Sequence, residues 1–78
     1  MAKITQQQAI MKALTARGYV RAPERDTGKY FAYRRPEWTH NHVFVGKAGA
    51  VRQGPVASKS WPISSKLRAE LIEEGRKQ

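Results

Sequence analysis

The chain has 78 residues, no cysteine, and a formal net charge of +9 from fifteen Lys/Arg against six Asp/Glu. This length favours one domain with a single core. The lack of cysteine excludes disulfides and thiolate metal sites and is typical of a reducing cytosol. No apolar run approaches the ~20 residues of a membrane span, and no signal-peptide core is present. We therefore expect one soluble, cytoplasmic domain over residues 1–78 without membrane association.

The first predicted element is a helix over about residues 5–17. Thr5 and Gln8 have the spacing of a capping box, in which each side chain satisfies a free backbone N–H of the other residue. An apolar stripe follows at helical spacing, formed by Ile10, Ala13 and Leu14. Gly18 is placed to adopt the left-handed conformation that ends such a helix.

Two strands are predicted next, over about residues 19–22 and 29–35. The sequence PERDTG at 23–28 between them has the composition of a turn. The second strand reads KYFAYRR, and β-branched or aromatic residues of this kind fit a half-buried pleated surface.

Alternation along this second strand separates its side chains into two sets. Phe31 and Tyr33 are predicted on the core face, which leaves Tyr30 and Arg34 on the other face. Pro36 ends the pairing because it has no N–H to donate.

The loop at residues 36–41 contains one tryptophan and adjoins two histidines. Trp38 is either a lid on the core or an exposed stacking platform, and the lid is favoured because tryptophans are highly buried on average. His40 and His42 are interpreted as solvated loop histidines. No metal site is predicted, since zinc requires a third ligand and Glu37 is the only acid nearby.

A β-hairpin is predicted from strands at about residues 42–46 and 50–54, joined by the turn GKAG. Two registers are open. One pairs Val45 with Ala50 and puts Phe44 and Val51 on the same face. The other contains a bulge and groups Val43, Val45 and Val51 in the core, with Phe44 and Arg52 outside. We favour the second register because it buries three β-branched residues together.

The last helix is predicted over about residues 64–74, capped by Ser64 or Ser65. A short edge strand around Val56 is an option for the segment that precedes it. Gly75 is predicted to end the helix. An apolar stripe recurs every fourth residue, at Ile63, Leu67 and Leu71. The fold class is therefore α+β, in the order α-β-β-β-(β)-α, with two helices packed on one face of a small antiparallel sheet.

The positive charge is concentrated in the predicted sheet region. Residues 27–63 carry six cations against Glu37 alone, a net charge of +5. Such a field favours polyanions. The side chains predicted to contact nucleic acid are Lys29, Tyr30, Arg34, Arg35, Lys47, Arg52 and Lys59. The cations would neutralise phosphates, and Tyr30 or Phe44 would stack on an unpaired base.

This order of elements is also that of double-stranded-RNA-binding domains and of HicA-type RNA-cleaving toxins. The chain resembles the toxins more, because the Gly-Pro-x-His turn of the RNA-binding domains is missing. The resemblance spans about residues 5–75. It is carried by Gly18-Tyr19 after the first helix, the run GKYFAYRRP at 28–36, and Pro62-Ile63 before a last helix that ends at Gly75.

The resemblance implies that the chain keeps the binding surface of these toxins but not their cleavage activity. The catalytic histidine of the toxins is matched here by Tyr30, and a tyrosine with an ordinary pKa near ~10 is a poor general base at neutral pH. No Ser/His/Asp constellation and no phosphate-binding loop can be singled out. We predict no cofactor and lean against an enzyme.

The leading hypothesis is a non-catalytic nucleic-acid-binding module, with RNA and DNA both open and the oligomeric state undetermined. One alternative is an RNA-cleaving toxin of the HicA kind. Another is a small phage or mobile-element protein that docks on an acidic host protein.

Overall fold

The computed structural model describes residues 4–77, so residues 1–3 and 78 of the predicted domain lie outside the described part. The elements in chain order are helix α1 (Gln6–Ala16), strands β1 (Val20–Arg21), β2 (Tyr30–Arg34), β3 (His42–Gly46), β4 (Val51–Gly54) and β5 (Trp61–Pro62), and helix α2 (Ser65–Lys77). The strands form one antiparallel sheet in the order β1-β2-β3-β4-β5. Both helices pack on the same face of this sheet, which confirms the α+β class. Within the described residues, neither helix is both long and apolar enough to cross a membrane.

Helix α1 begins and ends as its sequence predicts. The Thr5 backbone N–H donates to Gln8 Oε1 at 3.0 Å, and the Gln8 backbone N–H donates to Thr5 Oγ1 at 3.1 Å. Gly18 has φ +92° beyond the helix end, and the Tyr19 N–H closes the last turn by donating to the Leu14 carbonyl. This left-handed glycine ends the helix and directs the chain into β1.

Helix α2 begins as expected but extends past Gly75, so the predicted stop was wrong. Ser64 Oγ caps the first turn by accepting from the Leu67 N–H at 3.1 Å. Gly75 lies buried inside the helix, where a Cβ atom would be 1.8 Å from the Ala9 carbonyl oxygen. The glycine is therefore required for the close approach of α2 to α1, and not for a change of backbone direction.

The hairpin adopts the register that contains a bulge. Val45 pairs with Val51, and the Gly46 N–H donates to the Ala50 carbonyl at 2.8 Å. Gly49 has φ +86°, the left-handed position that such a bulge requires. As favoured from the sequence, the valines at 43, 45 and 51 all lie in the helix-side core.

The fifth strand lies at Trp61–Pro62 and not around Val56. After β4 the chain makes a 3-10 turn at Ala57–Lys59 and returns antiparallel to β4. The Arg52 Nε group holds the returning segment by donating to Ser60 Oγ at 2.8 Å, and the same hydroxyl donates to the Ala57 carbonyl at 2.7 Å. This side-chain bridge places the edge strand later than the apolar residue at 56 suggested.

The sheet is covered on both faces. The face that carries the helices, here called the helix face, buries the main core, and Trp38 packs against that core with its ring edge-on to Tyr19 at 5.6 Å. Trp38 is therefore a lid, as favoured. The opposite face, here called the turn face, is flanked by the 3-10 turns Pro23–Arg25 and Ala57–Lys59. A second, smaller core lies there, formed by Ala22, Ala32 and Phe44.

Candidate functional site

A trough of about 560 Å³ lies on the turn face. Strand alternation directs Tyr30 of β2 and Phe44 of β3 to this face. Tyr33, three positions after Tyr30, and Val45, one position after Phe44, both lie in the helix-side core, and residues an odd number of positions apart point to opposite faces. The two 3-10 turns form the sides. The lining residues are Glu24, Arg25, Thr27, Lys29, Tyr30, Phe44 and residues 56–58.

Tyr30 forms one wall of this trough. It pairs with Gly46 across the β2–β3 ladder, and a Cβ atom at Gly46 would lie 3.1 Å from Tyr30 Cε1. The glycine therefore leaves room for the ring to lie against the neighbouring strand. The ring also packs edge-on to Phe44, with 6.4 Å between centroids. Tyr30 remains half-buried, so a packed aromatic surface is partly open to solvent on the side predicted from the sequence.

The loop before β2 fixes the position of Lys29. Thr27 Oγ1 accepts from the Lys29 N–H at 3.2 Å and from the Tyr30 N–H at 3.1 Å. The Thr27 N–H donates to the Tyr30 carbonyl at 3.0 Å. A hydroxyl that bonds two successive backbone N–H groups makes a tight local turn. Lys29 is consequently exposed at the rim of the trough, next to the Tyr30 ring.

Three further cations lie on the turn face, of which Arg25 lines the trough and Lys59 does not. Lys47, in the hairpin turn, lines a second depression together with Lys29 and Tyr30. Lys59 ends the 3-10 turn, and its carbonyl lies 2.6 Å from the position of a Cβ at Gly54 on the turn face. Arg25 lines the trough itself. The sequence prediction included Lys47 and Lys59 and missed Arg25.

Arg25 was missed because the charges of residues 19–26 sum to zero in the sequence. Residues 19–26 contain two arginines and two acids. In the structure Asp26 pairs with Arg21 through two contacts, at 3.0 and 2.6 Å. The hydrogen bond from Arg21 lowers the pKa of the Asp26 carboxyl, against a smaller opposing effect of burial. The sequence signal that could have revealed this pairing is the position of Arg21 in β1, because strand alternation directs its side chain to the helix face, away from the trough.

Arg34 and Arg52 lie on the turn face but are partly engaged in holding the fold. Arg34 Nη1 donates to the Trp38 carbonyl at 3.4 Å, and Arg52 bonds the hydroxyl and carbonyl of Ser60. Both side chains belong to half-buried residues. Neither arginine lines the trough, and of the five N–H donors of a guanidinium group, Arg34 uses one and Arg52 uses two in these contacts.

Arg35 is the predicted site residue that the structure does not bring to the others. Its position in the alternation directs it to the helix face, with Tyr33. There its guanidinium lies 5.3 Å from the centre of the Tyr19 ring and forms an ion pair with Glu37. Arg35 therefore belongs to the packing around the end of α1.

Two aromatic positions differ from expectation. Phe44 is outside the helix-side core but only 1% exposed, because the turn face has its own small core, so it does not offer a free ring for stacking. Phe31 is on the helix face as predicted, yet 37% exposed. Its partner is the Arg21 guanidinium, which lies 5.1 Å from the ring centre.

His42 is buried, so its interpretation as a solvated loop histidine was wrong. It is 5% exposed in β3, and its Nδ1 atom has no hydrogen-bond partner among residues 4–77. Burial lowers the pKa of His42, and the nearby charges of Arg25 and Arg34 lower it further. His40 is exposed. No group of three or more metal-ligating side chains occurs in the described part of the chain.

Ion pairs are distributed unevenly between the two faces. The salt bridges found in residues 4–77 are Arg17–Glu74, Arg21–Asp26, Arg35–Glu37 and Lys77–Glu73. None of them includes a cation of the turn face. This group, here called the turn-face cations, consists of Arg25, Lys29, Arg34, Lys47, Arg52 and Lys59.

Comparison of the chain with protein-family models, curated proteins and solved structures gives no match. The geometry of the turn face is therefore the basis for a functional proposal.

Proposed function

We propose that this protein is a small, non-catalytic nucleic-acid-binding module that contacts phosphates through its turn face. The observation that carries the proposal is the segregation of ion pairs. Arg25 and Lys29 line the trough and the other turn-face cations lie on the same face, and none of the six is in a salt bridge among residues 4–77, where the four salt bridges lie elsewhere. A cytoplasmic location, where nucleic acid is accessible, is part of the same proposal.

Phosphate contacts determine what kind of binding to expect. Each neutralised phosphate releases condensed counterions, so affinity falls steeply as salt concentration rises. Lysines at the rim of a trough supply charge without the paired hydrogen bonds that identify a base. Binding is therefore expected to be salt-dependent, with little preference for sequence.

Two variants of equal charge test whether position or total charge drives binding. In the first, Lys29, Lys47 and Lys59 are replaced by Gln. In the matched control, Lys12, Lys66 and Arg76, which are exposed on the helices, are replaced by Gln. Each variant loses three charges from +9 and so carries +6. Fluorescence anisotropy with a labelled oligonucleotide, at salt concentrations of about 50 to 200 mM, gives Kd and its salt dependence.

We expect the turn-face variant to lose most of the affinity and the helix variant to lose little. Because each phosphate contact contributes about 0.7 to 0.9 to the slope of log K against log salt, three lost contacts should flatten the slope by roughly 2 to 3. Equal losses in the two variants would contradict the turn face as the contact surface. Binding that does not respond to salt would contradict the proposal as a whole.

RNA cleavage is the main alternative, and the residues of the site do not favour it. The position that matches the catalytic histidine of HicA-type toxins is Tyr30. His42 is too buried to reach a substrate hydroxyl from solvent. Gel analysis of RNA recovered from the binding assay addresses this alternative directly, since shortened RNA would show cleavage.

An acidic protein surface would also be attracted to unpaired cations. A pull-down that survives nuclease treatment, with no binding of oligonucleotides, would favour this partner over nucleic acid.

A further inference from the structure

Tyr30 stands between two concave surfaces. One is the trough of about 560 Å³, and the other is a depression of about 320 Å³ that Gly28, Gly46 and Lys47 help to line. Tyr30 and Lys29 line both. Both volumes lie within the range of roughly 300 to 1,000 Å³ that is usual for small-ligand sites.

We infer that the turn face takes single-stranded nucleic acid, with one unpaired base stacked on Tyr30 and the strand continuing on both sides of the ring. This inference rests on the proposed function and specifies the ligand of the same site. It assigns a stacking role to Tyr30 and a phosphate-binding role to Lys29.

The shape of the site favours a single strand over a duplex. In a duplex the flat faces of the bases are covered by their neighbours, so only phosphates, sugars and groove edges are available to a protein. A duplex lying on the lysine rim would leave the trough and the Tyr30 ring without a partner. An unpaired base has a free flat face and is small enough to enter such a concave surface.

The packing of Tyr30 suits it to stacking. The ring is held from one side by Gly46, whose missing side chain leaves it the necessary space, and it also packs against the Phe44 ring at an interplanar angle of 71°. A ring already fixed by its neighbours loses little conformational freedom when a base stacks on it. Buried Phe44 therefore acts as the support for Tyr30 and not as a second stacking surface.

The cations are placed to follow an extended strand. Lys29 borders both depressions and so lies where the phosphate between two successive nucleotides would pass. Arg25 lines the trough but not the depression, and Lys47 lines the depression but not the trough. Positive charge that tracks the backbone, with an aromatic ring between, is the usual arrangement for binding single strands.

The test replaces Tyr30 by Leu and, as a matched control, Phe31 by Leu. The two aromatic residues are adjacent in β2, are both partly exposed, and point to opposite faces of the sheet. Anisotropy is measured with a single strand of about 12 nucleotides, as DNA and as RNA, and with the corresponding duplex. A second readout is the fluorescence of 2-aminopurine placed within the single strand, because this base changes its emission when it stacks.

We expect wild-type protein to bind the single strand more tightly than the duplex. Tyr30→Leu should weaken single-strand binding by about fivefold to a hundredfold, the range that corresponds to the loss of one base–aromatic stack. Duplex binding should stay within about twofold, since phosphate contacts are retained. Tyr30→Phe should keep both the affinity and the 2-aminopurine signal, and Phe31→Leu should change neither.

The possible failures are distinguishable. Equal affinity for duplex and single strand, or equal weakening of both by Tyr30→Leu, would overturn the inference while salt-dependent binding still supported the proposed function. Absence of binding to all three ligands would overturn the proposed function itself. Circular dichroism of each variant establishes whether it is folded. If Tyr30→Leu is misfolded, the 2-aminopurine fluorescence measured with wild-type protein and with Tyr30→Phe decides. If the fluorescence does not change when either protein binds, the stacking role of Tyr30 is wrong.

Discussion

The two faces of the sheet differ in whether their cations are paired with acidic side chains. On the helix face and the helices, Arg17, Arg21 and Arg35 are paired with acids, and Arg68 bonds the Gly49 carbonyl and the Gln6 side chain. On the turn face, Arg25 and Lys29 line an open trough and Lys47 lines the adjoining depression, without such partners among residues 4–77.

This difference between the two faces depends more on where the acidic side chains lie than on where the basic side chains lie. Cations occur all over the surface, and Lys12, Lys66 and Arg76 are exposed on the helices. Among the six acids, however, only Glu24 lines the trough. A positive field is strongest where no opposite charge is nearby. A count of Lys and Arg along the sequence therefore identified only some of the turn-face cations.

The largest effect is expected from Gly75→Ala, which disrupts the helix face. In an unhindered helix this change would stabilise the protein by about 0.5 to 1 kcal/mol. Here the new Cβ would lie 1.8 Å from the Ala9 carbonyl oxygen, so α2 must move away from α1. Overpacking of this kind typically costs about 1 to 3 kcal/mol, occasionally more, and a backbone atom cannot move aside. We therefore expect urea unfolding to show a free energy of unfolding about 3 kcal/mol lower than that of the wild-type protein.

Gly28→Ala is the matched control for this prediction. No atom of residues 4–77 lies within 4 Å of the position of a Cβ atom at Gly28, and its φ is not positive. Its stability should be unchanged or raised by up to about 1 kcal/mol, because the unfolded chain loses freedom. If Gly75→Ala unfolds at the same urea concentration as wild-type protein, the close packing of the two helices is not as described.

The helix face was largely predictable from the sequence because its signals are local. The capping box at Thr5 and Gln8, the left-handed Gly18 and the three valines of the hairpin each specify a structure within a few residues. Gly75 was misread because a glycine near a helix end looks the same whether it stops the helix or admits a neighbour. Only the position of Ala9, far away in sequence, distinguishes the two.

The turn face was less predictable because long-range contacts determine it. Phe44 was correctly placed outside the main core, yet two 3-10 turns bury it. The fifth strand depends on the bridge from Arg52 to Ser60, which hydrophobic patterning does not encode. Arg25 has no salt bridge among residues 4–77 because the nearby Asp26 pairs with Arg21 instead. From the sequence, six of the seven candidate site residues could thus be assigned to the turn face of the sheet, but the trough could not be predicted.

A smaller effect is expected from His42, the buried titratable group of the turn face. Burial and the charges of Arg25 and Arg34 lower its pKa in the folded protein. The unfolded state, with a histidine pKa near ~6.5, therefore takes up a proton first as pH falls. Stability should be fully retained above about pH 7 and decrease as pH falls through the value of the unfolded state. Urea unfolding between about pH 7.5 and 5.5 measures the decrease.

His42→Phe should flatten this pH dependence, whatever its effect on absolute stability, because phenylalanine does not ionise. His40→Phe serves as the control, since His40 is exposed, and it should keep the wild-type slope. Asp26 and Glu37, whose carboxyl pKa values are lowered by Arg21 and Arg35 respectively, stay ionised over this pH window. An unchanged slope in His42→Phe would show that the acid sensitivity arises elsewhere.

The smallest effect is expected from removing single acids, and it tests the contrast between the faces most directly. Glu74→Gln frees Arg17 on the helix side, and Glu24→Gln removes the one acid of the trough; either change raises the net charge by one, from +9 to +10. The stability of either variant should change by no more than about 0.5 to 1 kcal/mol, as is usual for exposed ion pairs. Oligonucleotide affinity should rise by about two- to fivefold for Glu24→Gln and by less than about twofold for Glu74→Gln, because screening over ~8 Å at physiological salt limits the reach of a distant charge. Equal gains would mean that total charge, and not the turn face, determines binding.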